Sequence, residues 1–368
     1  MTLRRFEKGR LGAGAWSASL IALAAALGLA ALLIVLGAAD PGGALFSFFI
    51  LPWSNAWFLG NTLDGAVLLM AAALGVGLAF QGGTFNLGGE GQIYLGGLSA
   101  SIVLLGCRDL PPWLALLLAG TAALGTGGAM GALSGFLKRW TGADEMITSF
   151  LLSASLMPVA DYAISGPLRD TSGSLLAMAR IDAAYTLPRF MHPSSLNLSL
   201  FLTLLMVFAF YAFLSRTAVG YRFRIAGSSP VFARYAGIPV EKYWLPTMAA
   251  SGAMHALAGF FAVAGTYGVC HRGFPSGLGW NAIAVSLIAR NKPLALIPAA
   301  LAYGWLKSGS DAALLSSNLG FETSSFIQAL VLLLATVRYS RSWGPSAGKT
   351  AVMGQAARPG KKGKGAAL

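Results

Sequence analysis

Long apolar stretches separated by short polar ones run through most of the chain. Ten of them are typical of membrane spans, because about 20 apolar residues are needed to cross a bilayer. Their predicted ranges are 16–37, 61–80, 92–107, 113–136, 146–165, 197–214, 244–267, 279–289, 293–309 and 324–337. The eighth is too short to cross alone, so it predicts either a half-helix or a hairpin with the ninth. The pattern predicts an all-α, polytopic membrane protein.

Composition and charge agree with a membrane location. Hydrophobic residues make up 56% of the 368 residues and charged residues only 11%, against roughly 25% in soluble domains. With the N-terminus inside, the ten spans place 20 of the 26 Lys and Arg residues in cytoplasmic segments and five in outer segments, with Lys307 ambiguous. This asymmetry predicts that both termini are cytoplasmic. The net charge of +13 is therefore explained by the membrane topology, because basic segments are attracted to an anionic leaflet. No nucleic-acid partner is expected.

The two ends of the chain carry further signals. The first apolar run is longer than the 7–15 residues of a signal-peptide core, which favours an uncleaved first span over a cleaved signal near residue 37. We expect a membrane domain over 1–340 and a basic, disordered cytoplasmic tail over 341–368. Within the tail, Gly344–Thr350 resembles a phosphate-binding loop. It has three residues instead of four between its glycines, and it lacks the strand and helix that such a loop needs.

A polar, glycine-rich block, Gly82–Gln92, interrupts the apolar pattern between the second and third spans. Irregular backbone at membrane depth is tolerated only where it is buried in protein or lines a cavity, and a carboxylate there must face protein, water or a solute. The block therefore predicts a functional pathway or a structural helix break. Its candidate pathway residues are Phe85, Asn86, Glu90 and Gln92. Glu90 has two open interpretations, contact with a solute or capping of a helix start.

The cytoplasmic loop 217–243 contains signals for a short helix over Pro230–Ala236. Ser229 suits the N-cap and Pro230 the first helical position, while Gly237 suits the position just after the helix. Phe232 and Tyr235 lie three residues apart on one face. Such a helix either docks into a groove on a soluble partner or lies on lipid headgroups.

The outer side has fewer signals. The loop 166–197 is too long for a simple turn and predicts a lid or a platform for an outer-side partner. Cys107 and Cys270 both fall near outer span ends; they either form a disulfide or act as small apolar residues. No Cys/His cluster has the spacing of a metal site, and no nucleophile–base pair is indicated. We therefore predict no catalytic residue, metal site or cofactor.

Four blocks of the chain resemble one family. Gly83–Gln92 resembles the "FN-[IL]-G-x-EGQ" block of ABC importer permeases for nucleosides, whose broader relatives serve ribose-type sugars and branched-chain amino acids. The blocks Gly142–Thr148, Val219–Ile238 and Gly279–Leu294 resemble further family blocks in the same order. Together they cover about residues 63–306. The chain departs from the family pattern at three positions. Gly89 replaces an alanine-like residue, and Ser286 and Ala289 replace residues that are more often Ala and Gly. These departures put the substrate in doubt.

The resemblance implies an architecture and a set of partners. The fold would be that of a type II-like ABC importer permease in the bacterial cytoplasmic (inner) membrane. Two permease subunits, identical or different, would enclose one pathway and work with a cytoplasmic ABC ATPase and an outer-side solute-binding protein or lipoprotein. Closure of the ATPase would push on the cytoplasmic helix. The residues implied in this coupling are Pro230, Phe232, Ala233, Arg234, Tyr235 and Gly237.

The resemblance favours nucleosides as the solute, with riboflavin and simple sugars as alternatives. Two other classes of function are open from the residues. A secondary transporter or channel would normally carry paired intramembrane charges, yet apart from Glu90 only Asp64, Asp161 and Lys307 lie near span ends. An intramembrane enzyme would need a nucleophile, base or metal motif. ATP hydrolysis would belong to a partner.

Overall fold

A computed structural model describes residues 27–316 together with Phe326 and Ala329. In this part of the chain twelve helices follow one another, joined by turns and two isolated β-bridges. They are α1 (Leu27–Gly37), α2 (Pro41–Phe49), α3 (Ala56–Gln81), α4 (Gly89–Gly106), α5 (Pro112–Thr141), α6 (Glu145–Ser165), α7 (Ser199–Arg216), α8 (Ala218–Ser228), α9 (Pro230–Tyr235), α10 (Glu241–Phe261), α11 (Leu278–Ile288) and α12 (Pro293–Ser316). A π-helical segment, Ala262–Tyr267, continues α10.

The centre of the bundle is built on α3 and α10. Among the described helices, five are long and apolar enough to cross a membrane, namely α3, α5, α6, α7 and α10 with its π-helical end. In α3 and α10, 78% and 72% of the most apolar stretch is buried, whereas in α5, α6 and α7 the share is 22–33%. α3 and α10 are therefore the inner helices, and α5, α6 and α7 each leave most of their surface outside the core.

Small residues let the central helices approach closely. A Cβ atom on Gly127 of α5 would meet the carbonyl oxygen of Gly252 on α10, and one on Gly252 would meet that of Gly127. On the other side of α10, Gly259 packs in the same way against the Ile93 carbonyl of α4. Such contacts are typical of helix packing in membranes, where backbone proximity replaces a hydrophobic driving force.

The second to ninth predicted spans all coincide with helices, although several helices are longer than predicted. α2 was not predicted; it begins at a proline, and the Asp40 carboxylate accepts a hydrogen bond from the Gly43 N–H (3.1 Å). The first predicted span is described only over 27–37, and the tenth only at Phe326 and Ala329, which are helical. The tail and its phosphate-loop-like sequence lie outside the described residues. The count of ten spans and the cytoplasmic termini therefore stay predictions.

The short eighth span is α11, with 11 residues. At 1.5 Å per residue it extends about 16 Å, half the thickness of a bilayer core of about 30 Å. It packs against α3, α4 and α12. A tight turn joins it to α12, in which Arg290 and Asn291 both adopt positive φ (53° and 55°). The prediction that this segment cannot cross a bilayer alone is confirmed.

The outer segment 166–197 is folded onto the connection between α10 and α11. Ala177 forms a bridge with His271, and the Met178 N–H donates to the Cys270 carbonyl (3.0 Å). The Asp64 carboxylate of α3 accepts from the Ser195 hydroxyl (2.7 Å) and the Asn197 amide (3.1 Å). This segment is therefore folded, and we refer to it as the outer platform after its predicted side of the membrane. Cys107 and Cys270 are both free thiols, so the disulfide alternative is not realised.

Candidate functional site

The polar block begins where α3 is terminated by a glycine in a left-handed conformation. Gly83 has φ +73°, which favours glycine because other residues pay a steric penalty there. Its N–H donates to the Phe80 carbonyl (3.1 Å), and the Thr84 N–H donates to the Ala79 carbonyl (3.0 Å). This is the Schellman pattern of helix termination. The predicted helix break is confirmed, and the chain turns back into the bundle from this point.

One face of α6 satisfies the irregular backbone that follows. Three α6 side chains accept hydrogen bonds from backbone N–H groups of the block and of the first turn of α4. They are spaced four residues apart, so they lie on the same side of the helix. The pairs are Phe85 N–H with Glu145 Oε1 (3.3 Å), Leu87 N–H with Ser149 Oγ (3.0 Å) and Gly91 N–H with Ser153 Oγ (2.7 Å). The Lys138 ammonium lies 2.5 Å from the second oxygen of Glu145.

Glu90 holds the start of α11. It lies in the first turn of α4 and is 8% exposed. Its Oε1 accepts from the Gly277 N–H and its Oε2 from the Gly279 N–H, each at 2.7 Å. These N–H groups are at the beginning of α11, where a helix dipole favours a carboxylate. In this structure Glu90 is therefore a helix cap, and the helix that it caps is α11.

Asn86 and Gln92 are joined in a buried amide cluster with two residues of α10. The Asn86 amide donates to Gln92 Oε1 (2.9 Å) and to Ser251 Oγ (3.0 Å), and the Gln92 amide donates to Asn86 Oδ1 (3.3 Å). His255 Nδ1 lies 3.0 Å from Gln92 Oε1. All four residues are at most 2% exposed. Their polar groups are thus bonded mainly to one another in this state.

The predicted pathway residues separate into three environments. Asn86 and Gln92 come together in the amide cluster, while Glu90 faces α11. Phe85 is half-buried and packs edge-on against Phe80 of α3, with ring centroids 4.5 Å apart. Ser251 and His255 were not among the predicted site residues. The signal for them is two polar residues four apart within an otherwise apolar span, which places both on one buried helix face.

The helix predicted within the loop 217–243 is α9, and it ends one residue before the predicted boundary. Gly237 has φ +75° and follows the helix as predicted. The Ser229 side chain makes no N-terminal cap hydrogen bond, so that detail of the prediction is wrong. Phe232 and Tyr235 are 59% and 89% exposed, whereas Ala233 is fully buried.

Two contacts hold α9 in place. The buried side of α9 packs through Ala233 into a small cluster with Ala226 and Val240. The Arg234 guanidinium donates twice to Glu241 Oε1, at 2.9 and 2.7 Å. The two exposed aromatic rings are therefore presented on a fixed helix.

α8 links α9 to the polar block, and it was not predicted as a helix. Gly227 near its end packs against the backbone of Gln81–Gly83, and a Cβ there would lie 2.7 Å from the Gly83 nitrogen. The side chains of Phe223 on α8 and Thr247 on α10 contact Gly82. α8 thus touches the block directly, and at Gly227 the contact is backbone against backbone.

The chain is similar to known permeases. Residues 58–336 match the family described as branched-chain amino acid transport system / permease component. The chain is 36% identical over 326 residues to the probable riboflavin import permease protein RfuC of Treponema pallidum, covering 87% of this chain and 86% of that protein. It is 29% identical over 329 residues to the glucose ABC transporter permease protein TsgB13 of Haloferax volcanii (87% and 86%). It is 27% identical over 292 residues to the guanosine ABC transporter permease protein NupP of Bacillus subtilis (78% and 83%).

The cap on α11 leads to a first prediction. In a Glu90→Gln variant an NH2 group replaces one carboxylate oxygen and faces a backbone N–H. One hydrogen bond is lost and a buried donor is left unpaired. The free energy of unfolding should fall by about 1–3 kcal/mol. We expect a lower apparent melting temperature of the detergent-purified protein and slower solute uptake. The control is Asp311→Asn, since Asp311 is 46% exposed in its ion pair with Lys307 and exposed pairs contribute little. Equal stability of wild type and Glu90→Gln would contradict the capping role.

Proposed function

The chain belongs to the branched-chain amino acid transport system permease family, and from this we infer that its buried amide cluster lies on the route of a riboflavin-like solute through an ATP-driven importer. Permeases of this class are transport subunits and not enzymes. The chain therefore supplies the route, and ATP hydrolysis is the task of an ATPase partner. A solute-binding protein is the other general partner of such importers.

The solute assignment rests on one observation, the 36% identity with a riboflavin permease over most of both chains. The sequence motifs alone favour nucleosides, with riboflavin and simple sugars as alternatives. The guanosine and glucose permeases are less similar, at 27% and 29% identity. Riboflavin is a neutral heterocycle with a polyhydroxylated chain. Uncharged donors and acceptors, such as those of Asn86 and Gln92, suit a solute of this kind.

We assign the pathway residues two kinds of role. Asn86 and Gln92 offer amide groups that can bond a solute once their mutual hydrogen bonds open. Glu90 acts indirectly, because its carboxylate holds α11 against the start of α4. Phe85 packs beside this contact, against Phe80 of α3. Transport then requires a switch between two packed states, and the ATPase and the binding protein must favour different ones.

The coupling element in this proposal is α9, with α8 as the connection to the pathway. Phe232 and Tyr235 are the aromatic anchors for a groove on the ATPase, and aromatic residues often dominate such contacts. Pro230 and Gly237 delimit the helix, while Ala233 and Arg234 fix its orientation. Since α8 touches Gly83 through Gly227, a displacement of α9 is delivered to the beginning of the irregular segment.

The same proposal extends to the assembly. A second permease subunit, identical or different, completes the pathway, and the outer platform 166–197 receives the solute-binding protein or lipoprotein. The complex then lies in the cytoplasmic (inner) membrane of a bacterium. Of the five long apolar helices, α6 and α7 are the least buried within the chain, and they supply surfaces for lipid or for the second subunit.

The docking role gives a second prediction. Replacing Phe232 and Tyr235 together by alanine should reduce co-purification of the ATPase at least tenfold, because truncation of an aromatic anchor often costs about 2 kcal/mol or more. Membrane insertion and melting temperature should be unchanged, since both side chains are largely exposed. Trp140→Ala, which truncates an exposed aromatic residue at the end of α5, is the matched control. Full ATPase recovery with the double variant would refute docking through α9.

The transported solute is tested by reconstitution. The permease, its ATPase, the second permease and the binding protein are placed in proteoliposomes, and uptake of radiolabelled riboflavin, guanosine and glucose is measured with and without ATP. We expect ATP-dependent uptake of riboflavin in preference to the other two. Preferred uptake of guanosine or glucose would refute the solute assignment. Uptake that is independent of ATP would instead indicate a secondary transporter or channel.

A further inference from the structure

His255 has a buried nitrogen that is not used by the amide cluster. The residue is fully buried, and its Nε2 has no hydrogen-bond partner among the described residues. Its Nδ1 lies 3.0 Å from Gln92 Oε1, an oxygen that already accepts from the Asn86 amide. An acceptor requires a donor opposite, so the network assigns the proton of a neutral ring to Nδ1. Nε2 is then a free acceptor, and buried polar groups without a partner are rare in folded proteins.

Two glycines flank this ring. A Cβ on Gly75 of α3 would lie 3.2 Å from His255 Cε1, and one on Gly89 would lie 3.1 Å from His255 Nε2. Gly89 is the first residue of α4 and directly follows the irregular segment. The free acceptor is thus covered by backbone at the start of α4, next to the irregular segment that Gly227 of α8 contacts at Gly83. A solute reaches Nε2 only when this backbone moves away from the ring.

We propose that His255 Nε2 accepts a hydrogen bond from a ring N–H of the solute. This inference rests on the proposed function. The isoalloxazine ring of riboflavin and the purine ring of guanosine carry a ring N–H, whereas glucose has none.

A purely structural histidine would need Nδ1 alone. In a His255→Asn variant the side-chain amide places a donor near the position of Nδ1, so the bond to Gln92 is kept. No atom then stands near the position of Nε2. Glutamine is one bond longer and places its amide near Nε2. The pair His255→Asn and His255→Gln therefore separates the contribution of the free acceptor from that of the cluster.

The test uses the complete importer in proteoliposomes and compares ATP-driven uptake of riboflavin with that of N3-methylriboflavin, which lacks the imide N–H. We expect His255→Asn to lower the riboflavin preference about tenfold relative to wild type, the equivalent of one hydrogen bond. His255→Gln should retain most of the preference. Co-purification of the ATPase should be equal for all variants.

Three results would overturn the inference. The first is an unchanged preference in His255→Asn, and the second is an equal loss in the Asn and Gln variants, which would indicate a packing role. The third is a wild-type importer that carries glucose but neither riboflavin nor guanosine, because glucose has no ring N–H. Only the third also refutes the solute assignment made above, and ATP-dependent uptake would still support an importer.

Discussion

Backbone that leaves the helical path inside a membrane bundle must find its hydrogen-bond partners within the protein, and the segment after α3 depends on this constraint. Ser149 and Ser153 on one face of α6 accept its N–H groups together with Glu145. Glu90 in turn satisfies the first N–H groups of α11. The irregular segment is therefore held by side chains of α6, and the half-length helix α11 is held by a carboxylate in the first turn of α4.

The irregular segment, the start of α4 and the start of α11 meet in one region, which we call the junction. Other helices also contact this region. From the cytoplasmic side, Gly227 of α8 reaches the backbone at Gly83. From the core, Ser251 and His255 of α10 reach the amides of Asn86 and Gln92. A packed bundle does not deform continuously, so a displacement at one side of such a junction changes which set of hydrogen bonds is formed. Coupling and solute passage are thereby assigned to the same few residues.

Local chemistry explains which parts of this picture the sequence predicts. The helix break at Gly83, the helix bounded by Pro230 and Gly237 and the short α11 all follow from glycine, proline and apolar length, and the structure has all three. The partner of Glu90 and the accepting face of α6 do not follow, since these residues are between about 60 and 190 positions apart in the chain. His255 is missed for the same reason. α8 is missed because its alternating aromatic and basic residues have no clear helical period. The solute is not predicted from the motifs, because proteins named as riboflavin, glucose and guanosine permeases all match 78–87% of this chain.

The central claim is that the junction opens and closes as the importer works. Amide hydrogen exchange of the complete importer in proteoliposomes, compared between the nucleotide-free state and the state trapped with ATP and vanadate, tests it most directly. The account predicts that the N–H groups of Leu87, Gly91, Gly277 and Gly279 exchange at different rates in the two states. Equal exchange of these four amides in both states, in an importer that transports its solute, would contradict it.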